Sequence, residues 1–115
     1  MKFGTMYEQG EIIIVPFPFS DLSGVKQRPV LVLSKNKDNQ ESDDIITCGI
    51  TSNLKNAKCS VLIEKSNLEL GSIPTKSRIK VDKLFTLDKS TIIKKVAKVN
   101  RETFDKVRKE FFSLI

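Results

Sequence analysis

The sequence predicts a mainly β fold, a small SH3-like barrel of five to seven short strands closed by one C-terminal α-helix. Short apolar runs rich in β-branched residues, bounded by proline, glycine, serine or aspartate, occupy most of the chain. The hydrophobic period becomes helical only near the C-terminus. Because no internal repeat or low-complexity tract interrupts this pattern, we expect one domain over residues 1–115.

The predicted first strand covers Gly10–Val15, a β-branched run that we expect to end at Pro16. Residues 16–24 contain proline, serine, aspartate and glycine, which is typical of a loop. Phe17 and Phe19 lie in this predicted loop, where exposed rings would be unfavourable. They either fold back over one end of the barrel or form a recognition surface.

The predicted second strand, Arg28–Ser34, is the element around which the chain is organised. Its run Val30-Leu31-Val32-Leu33 is continuously apolar, which indicates burial on both faces. Pro29 holds Arg28 extended and, lacking an N–H group, belongs at the start of a strand. The sequence therefore places Arg28 at the mouth of a rigid strand, where it makes a surface ion pair or belongs to a site.

The rest of the chain continues the β pattern up to a terminal helix. The sequence predicts a polar connector over 35–42, strands over 43–50 and 58–64, and a loop over 66–72. An edge-type strand over 74–81 and a strand segment over 84–87 are expected next. A helical turn capped by Asp88 and a last strand over 94–99 complete the β region. Asn100 is the expected cap of a helix over 101–114. The apolar stripe of this helix belongs to the core or to a subunit contact, and its members are Phe104, Val107, Phe111 and Leu114.

The composition limits the possible functions. The formal charge of +6 favours an anionic partner such as nucleic acid or an acidic protein. The chain has no histidine, and Cys48 and Cys59 are too few for a zinc site, so we expect buried free thiols, no metal and no cofactor. Neither a signal peptide nor a membrane span is recognisable, which predicts a cytoplasmic protein without a membrane partner.

No phosphate-binding glycine loop or known hydrolase motif is present, so the candidate chemistry lies in polar side chains at strand ends. These side chains are Arg28, Thr51, Ser52, Arg78, Lys80 and Asp82. The hydroxyls of Thr51 and Ser52 either stabilise a turn or contribute to a site.

At these residues the sequence resembles the MazF/PemK family of toxin endoribonucleases. The resemblance rests on Gly10-Glu11-Ile12, Val15–Gly24, Lys26–Ser34, Ile50-Thr51-Ser52, Lys80-Val81-Asp82, Phe85–Asp88 and the closing helix. It implies a barrel of the CcdB/MazF type, assembled as a homodimer, that cleaves single-stranded RNA at short sequences without a metal. It also implies an acidic antitoxin protein as partner.

The resemblance implies a role for individual residues. Arg28 and Thr51 match the catalytic pair of the family, and Asp82 matches a further catalytic aspartate of the PemK branch. Lys80 stands where that branch has an arginine, and Phe85 stands where relatives often carry another. The predicted RNA-binding residues are Phe19, Ser20, Lys26, Gln27, Ser52, Asn53, Arg78 and Lys80. Arg78, on the same strand face as Lys80, is expected to compensate for the missing guanidinium.

The residues suit RNA cleavage because RNA carries its own nucleophile, the 2′-hydroxyl. The protein must then align that hydroxyl and stabilise charge on the phosphoryl oxygens, which an arginine does well. The alternatives are a non-catalytic toxin of the same fold that binds DNA gyrase, or a peptide-binding barrel. A pure binding protein would not require the pair Arg28 and Thr51.

Overall fold

The fold is a curled, seven-stranded antiparallel sheet with a helix against one face, as the sequence predicts. A computed structural model describes residues 3–18 and 25–115. The elements are β1 (Glu11–Pro18), β2 (Val25–Val32), α1 (Asn36–Glu41), β3 (Asp44–Thr51), β4 (Ser60–Ile63), β5 (Leu68–Gly71), β6 (Ser77–Asp88), β7 (Lys94–Val99) and α2 (Arg101–Phe112), with single 3₁₀ turns at Lys65–Asn67 and Lys89–Thr91. The strand order is β4-β6-β3-β2-β1-β7-β5.

The central strand β2 has a hydrophobic core on each of its faces, which confirms the burial predicted for its apolar run. Leu31 belongs to a core on the helix side that includes Ile12, Cys48 and Val107. Val30 and Val32 belong to a second core on the opposite face. A strand packed on both sides is held rigidly, and its register is fixed because a one-residue slip would exchange the two cores.

Helix α2 confirms the predicted cap and most of the predicted stripe. The Asn100 side chain accepts a hydrogen bond from the Thr103 N–H at 2.9 Å. Val107 is fully buried, and Phe104 and Phe111 pack against the same core. The helix ends at Phe112, so Leu114 lies beyond it and is 40% exposed. The Asp88 cap of the preceding turn is also confirmed, since its side chain accepts from the Ser90 N–H at 2.8 Å.

Strand β1 does not end at Pro16, as the sequence predicted, but continues to Pro18. The reason is the direction of the backbone. The Ile14 carbonyl accepts a hydrogen bond from Ile93 on the β7 side, and backbone groups of alternate residues point to the same side. The Pro16 nitrogen therefore faces the side where the β1–β7 pairing has already ended, and its missing N–H costs no ladder bond. Phe17 thus lies on a strand, whereas residues 19–24 lie outside the described residues.

Two segments predicted to be irregular have regular structure. The connector 35–42 contains α1, which holds the buried Asn39, and the Asn39 amide donates to the carbonyls of Tyr7 and Ser34. The predicted loop 66–72 contains the edge strand β5, which pairs with β7. Gly71, at its end, has φ +75°, and a Cβ there would collide with the Val96 carbonyl oxygen.

Two further expectations need correction. The edge-type strand 74–81 and the segment 84–87 form one strand, β6, which lies inside the sheet between β4 and β3. Cys48 is buried as expected, but Cys59 is half-buried and has φ +58°, so it lies in a turn before β4. Within residues 3–18 and 25–115, no helix has the length and apolar character needed to cross a membrane.

Candidate functional site

Arg28 and Thr51 come together because β2 and β3 are paired neighbours. The antiparallel register pairs Val30 with Gly49, and continuing it by two residues sets Arg28 opposite Thr51. Both residues line one cavity of about 630 Å³ at this end of the sheet. Arg28 is exposed and Thr51 is half-buried. The pair predicted from separate strand ends therefore shares a cleft.

Strand β6 contributes two lysines through an irregularity in its pairing with β3. Cys48 pairs with Leu84, but the next residue, Gly49, pairs with Lys80, so residues 81–83 bulge out of the ladder. Lys80, which precedes this bulge, and Lys83, which lies within it, both line the cavity. Lys80 therefore shares the cavity with Arg28 and Thr51, and its predicted role in RNA binding remains a prediction. Lys83 was not singled out from the sequence, because strict alternation along a regular strand would turn it away from Lys80.

Asp82 lies within the same bulge but is not among the described residues that line the cavity. It is exposed. Burial, and secondarily the negative charge of Asp82, raises the pKa of the Cys48 thiol to about 12. Cys48 belongs to the core beneath α2 and, like Asp82, is not among the described residues that line the cavity.

The chain between β3 and β4 forms a second wall of the cavity and is shaped by side-chain turns. The Thr51 Oγ1 atom accepts a hydrogen bond from the Asn53 N–H at 3.1 Å, and the Asn53 Oδ1 atom accepts from the Lys55 N–H at 3.1 Å. The turn role that the sequence allowed for Thr51 is therefore present. A hydroxyl that accepts one hydrogen bond keeps its own proton to donate, so the turn leaves Thr51 a donor for a ligand.

Arg78 supports this wall and does not itself belong to the described lining of the cavity. Its Nε atom donates to the Leu54 carbonyl at 3.1 Å, and its Nη1 atom donates to the Ser60 hydroxyl at 3.2 Å. These two bonds tie the loop between β3 and β4 to β6. The expectation that Arg78 supplies the guanidinium missing at position 80 remains a prediction, and in this arrangement its side chain is engaged with the loop.

Two aromatic rings give the cavity an apolar surface beside its cations. The rings of Phe17 and Phe85 meet edge to face, with centroids 4.8 Å apart and planes at 85°, and both rings line the cavity. Phe17 also packs against the core on this face, which agrees with the first alternative considered for it, whereas a recognition role for its ring remains a prediction. Phe85 lies beside Gly49, where an added Cβ would be 3.6 Å from its ring.

The charge of the cavity has one sign. The cations that line it are Arg28, Lys55, Lys80 and Lys83, and no Asp or Glu occurs among its described lining residues. The amide side chains of Asn53 and Asn56 add donors and acceptors. Such a concave surface attracts an anion, and its low-dielectric wall strengthens that attraction.

The other predicted RNA-binding residues lie outside this lining. Lys26 and Gln27 are exposed on β2, opposite Phe17 and Pro16 of β1. Ser52 is exposed next to Thr51. Phe19 and Ser20 lie outside the described residues. Their predicted roles remain predictions.

Comparison with known proteins agrees with the resemblance seen in the sequence. No curated protein matches the chain. Among solved structures, MazF from Deinococcus radiodurans superposes with a TM-score of 0.75 at 21% identity, covering 96% of this chain and 97% of that one. A mycobacterial endoribonuclease superposes with a TM-score of 0.75 at 19% identity, over 97% and 93% of the two chains. A MazE–MazF complex from D. radiodurans gives 0.74 at 22% identity, over 96% of each.

At these sequence identities the structural likeness establishes the fold alone. Membership of a family is established by the match of the sequence to a family model. Residues 8–114 match the family model described as PemK-like, MazF-like toxin of type II toxin–antitoxin systems. The match covers β1 through α2, and so includes every described residue of the cavity. The chain belongs to the PemK-like, MazF-like toxin family of type II toxin–antitoxin systems.

Proposed function

We propose that this protein is a toxin endoribonuclease that cleaves single-stranded RNA at specific short sequences and without a metal ion. The observation that carries the proposal is the cavity shared by Arg28 and Thr51, which is lined by four cations and, among the described residues, by no carboxylate. Family membership supports the toxin role. Two of the similar structures are described as endoribonucleases, which supports RNA cleavage as the reaction.

The reaction is an attack by the RNA on itself. The 2′-oxygen of one nucleotide forms a bond to the adjacent phosphorus, and the bond from phosphorus to the 5′-oxygen of the next nucleotide breaks. The products are a 2′,3′-cyclic phosphate and a 5′-hydroxyl. The 2′-hydroxyl proton leaves during attack, and the departing 5′-oxygen takes up a proton. The protein therefore has to align the three atoms and stabilise the extra charge on the phosphoryl oxygens.

Arg28 and Thr51 supply these two needs in our proposal. The Arg28 guanidinium is planar and permanently charged, so it can grip two phosphoryl oxygens at once as their charge grows. The Thr51 hydroxyl, held from behind by the Asn53 N–H, donates its proton to one of those oxygens and fixes the phosphate. Lys80 and Lys83 bind the neighbouring phosphates as point charges.

Proton transfer is the least specified step. Asp82 is our proposed proton acceptor, but it lies outside the described lining of the cavity. It therefore acts through a water molecule or after a shift of the β6 bulge. Replacing Asp82 with Asn should lower kcat and change the pH dependence of kcat/KM, whereas an unchanged pH profile would remove Asp82 from the mechanism.

The activity test uses purified protein, a mixed single-stranded RNA and an excess of EDTA. We expect cleavage by the wild type and a loss of about 10²–10³-fold in rate for Arg28→Ala, the usual cost of removing one charge-stabilising donor. Arg101→Ala is the matched control, because Arg101 is exposed at the start of α2 and outside the described lining of the cavity. No cleavage by the wild type, or equal cleavage by Arg28→Ala, would contradict the proposal. Inhibition of DNA supercoiling by gyrase without RNA cleavage would favour the non-catalytic alternative.

We also propose an acidic antitoxin and a homodimer. Similar structures have been solved with a cognate antitoxin, and the formal charge of +6 suits an acidic partner. Ile46, Leu84 and Phe112 are exposed apolar side chains that support a contact between two copies. Light scattering after gel filtration should give a mass of twice 13.0 kDa. A monomer at micromolar concentration would contradict the dimer.

A further inference from the structure

We infer that the ring of Phe85, braced by Phe17, is a stacking platform for the nucleobase next to the scissile phosphate. This inference rests on the proposed function and adds to it a subsite for a base. Phe85 lines the same cavity as Arg28 and Thr51, and both its ring and the Lys83 side chain lie beside Gly49. A nucleotide bound by its phosphate must place its base somewhere, and an aromatic ring beside a cationic site is the usual support in single strands.

The point at which the Phe85 ring contacts β3 gives the distance between the ring and Thr51. The Phe85 ring lies against Gly49, where an added Cβ would meet it at 3.6 Å. Thr51 is two residues further along the strand, about 7 Å away at roughly 3.3 Å per residue. Gly49 and Thr51 lie on the same side of β3, because strand side chains alternate. A phosphate held by Thr51 and a base on Phe85 are therefore neighbours on one nucleotide chain.

The contact between the two rings leaves a face available. An edge-to-face pair uses the edge of one ring and one face of the other, so neither ring loses both faces to its partner. Both rings are half-buried, and both also border the cavity. Phe17 packs against the core as well, which fixes the ring against which Phe85 rests. A platform that is already ordered loses little entropy when a base stacks on it.

The residue type at position 85 decides whether this part of the cavity is charged or apolar. An arginine at position 85 would add a fifth cation to the four already in the cavity. Phenylalanine instead gives the cavity an apolar side, so it can distinguish a nucleotide with a base from a bare sugar-phosphate. Stacking is tolerant of base identity because every base has a π-face. Phe85 should therefore contribute affinity at one position and leave the choice of base there to other groups.

The first test uses the intrinsic fluorescence of a variant. The chain has no tryptophan, so Phe85→Trp introduces a single indole that keeps an aromatic face. The probe is a pool of single-stranded oligodeoxynucleotides, which lack the 2′-hydroxyl that the proposed reaction needs. Stacking of a base should quench the indole emission on titration. Ile115→Trp places the same reporter on the 86% exposed C-terminal residue, outside the described lining of the cavity, and it should not be quenched.

The second test locates the base. Once the wild type has been used to map a cleavage site, oligoribonucleotides with one abasic position are compared on each side of the scissile phosphate. At one adjoining position kcat/KM should fall by about 5- to 150-fold for the wild type and for Phe85→Tyr. The same abasic substrate should cost Phe85→Leu almost nothing, because that variant has no platform to lose.

The results of these two tests distinguish failure of the stacking platform from failure of the proposed RNA cleavage. Absence of cleavage by the wild type contradicts the proposed function, while the fluorescence titration still decides whether a base stacks. Cleavage with an abasic penalty that is equal in Phe85→Leu and the wild type, or with no penalty at either adjoining position, overturns the platform. A Phe85→Trp emission unchanged by the oligonucleotide pool overturns it as well.

Discussion

Two concave regions of the molecule differ in both charge and backbone regularity. The cavity at the ends of β2 and β3 has a volume of about 630 Å³ and is lined by four cations. The groove between α2 and the start of β3 has about 290 Å³, and Arg108 is its one charged residue among those described. Its other lining residues include Leu33, Ile46 and Phe112. The cavity suits a polyanion, whereas the groove suits an apolar protein surface.

The backbone explains this difference. The cavity forms where regular pairing stops: the β2–β3 ladder ends at Val30 and Gly49, and β6 bulges over residues 81–83. Irregular backbone points side chains that would otherwise alternate, such as Lys80 and Lys83, into one space. The groove instead lies between regular elements, and its side chains continue the apolar faces of β3 and α2. Function in this fold is therefore expected where the ladder is broken.

Replacing Arg28 of the cavity or Arg108 of the groove with lysine should give the largest difference in the rate of RNA cleavage. Arg28→Lys keeps the charge but loses the planar fork, so we expect RNA cleavage to fall by about 10²-fold. Arg108→Lys is the matched change in the groove, where Arg108 lies 5.8 Å from the Phe104 ring centroid, and it should leave the cleavage rate unchanged. Steady-state kinetics on one mapped RNA measure both. Equal losses would mean that the cavity is not distinguished by its guanidinium.

Removing the hydroxyl of Thr51 in the cavity or of Ser34 in the groove should give a smaller difference in kcat. Thr51→Val removes the proposed donor to the phosphoryl oxygen and the acceptor for the Asn53 N–H, so kcat should fall by about tenfold, the order expected for a hydrogen bond to a charged group. Thr51→Ser should retain most activity. Ser34→Ala removes a hydroxyl beside the groove that bonds to Asn39, and it should lower stability rather than kcat. A Thr51→Val enzyme with wild-type kcat would contradict the role of Thr51.

The salt dependence of binding should distinguish a lysine of the cavity from an exposed lysine on α2. Lys83→Gln removes one phosphate contact from the cavity, so the slope of log K against log salt should become shallower by about 0.7. Lys109→Gln makes the same change in charge on an exposed position of α2 and should leave the slope as it is. Binding of a non-cleavable single strand, followed by anisotropy at several salt concentrations, measures this. A slope that changes equally in both variants would indicate an effect of net charge alone.

The smallest effect is expected at Asp88, which is the last residue of β6 and lies outside the described lining of the cavity. Hydrogen bonds from Ser90 lower the pKa of Asp88 below its ordinary value of 3.8. A lowered pKa means that the charged form is favoured by folding, so its contribution to stability is present above pH 3.8 and is lost as the pH falls below it. Thermal unfolding of Asp88→Asn should show a small loss at pH 7 that disappears at low pH. A loss that persists in acid would contradict the assignment.

The sequence could predict the pairing of Arg28 with Thr51 because each follows directly from its own strand. The apolar run fixes the burial of β2, and the threonine marks the end of β3. The expectation that Pro29 lies at the start of the strand was wrong, because β2 begins at Val25 and Pro29 instead directly precedes Val30, where the pairing with β3 begins. Lys83 could not be found in this way, because a bulge shifts the register and is set by tertiary pairing with β3. The extension of β1 through Pro16 was missed for a related reason, since a proline is tolerated only where the neighbouring strand has ended.

The secondary structure of the polar segments was harder to predict from the sequence than that of the apolar segments. Strand β5 has an edge position and a short sequence, so its own composition resembles a loop, and its pairing with β7 decides the matter. Helix α1 holds the buried Asn39, whose amide donates to the nearby Ser34 carbonyl and to the Tyr7 carbonyl, 32 residues away in sequence. Such long-range hydrogen bonds leave no periodic signal. The helix α2, with a cap and a long apolar stripe, was predictable to within two residues of its end.

The account depends on RNA supplying its own nucleophile under the grip of Arg28 and Thr51. The most direct measurement is cleavage of a mapped RNA that carries one 2′-deoxynucleotide immediately 5′ of the scissile phosphate. The account predicts that this substrate binds with unchanged affinity and is not cut at that bond, while the all-ribose substrate yields a 2′,3′-cyclic phosphate. Cleavage of the deoxy substrate at the same bond would contradict it.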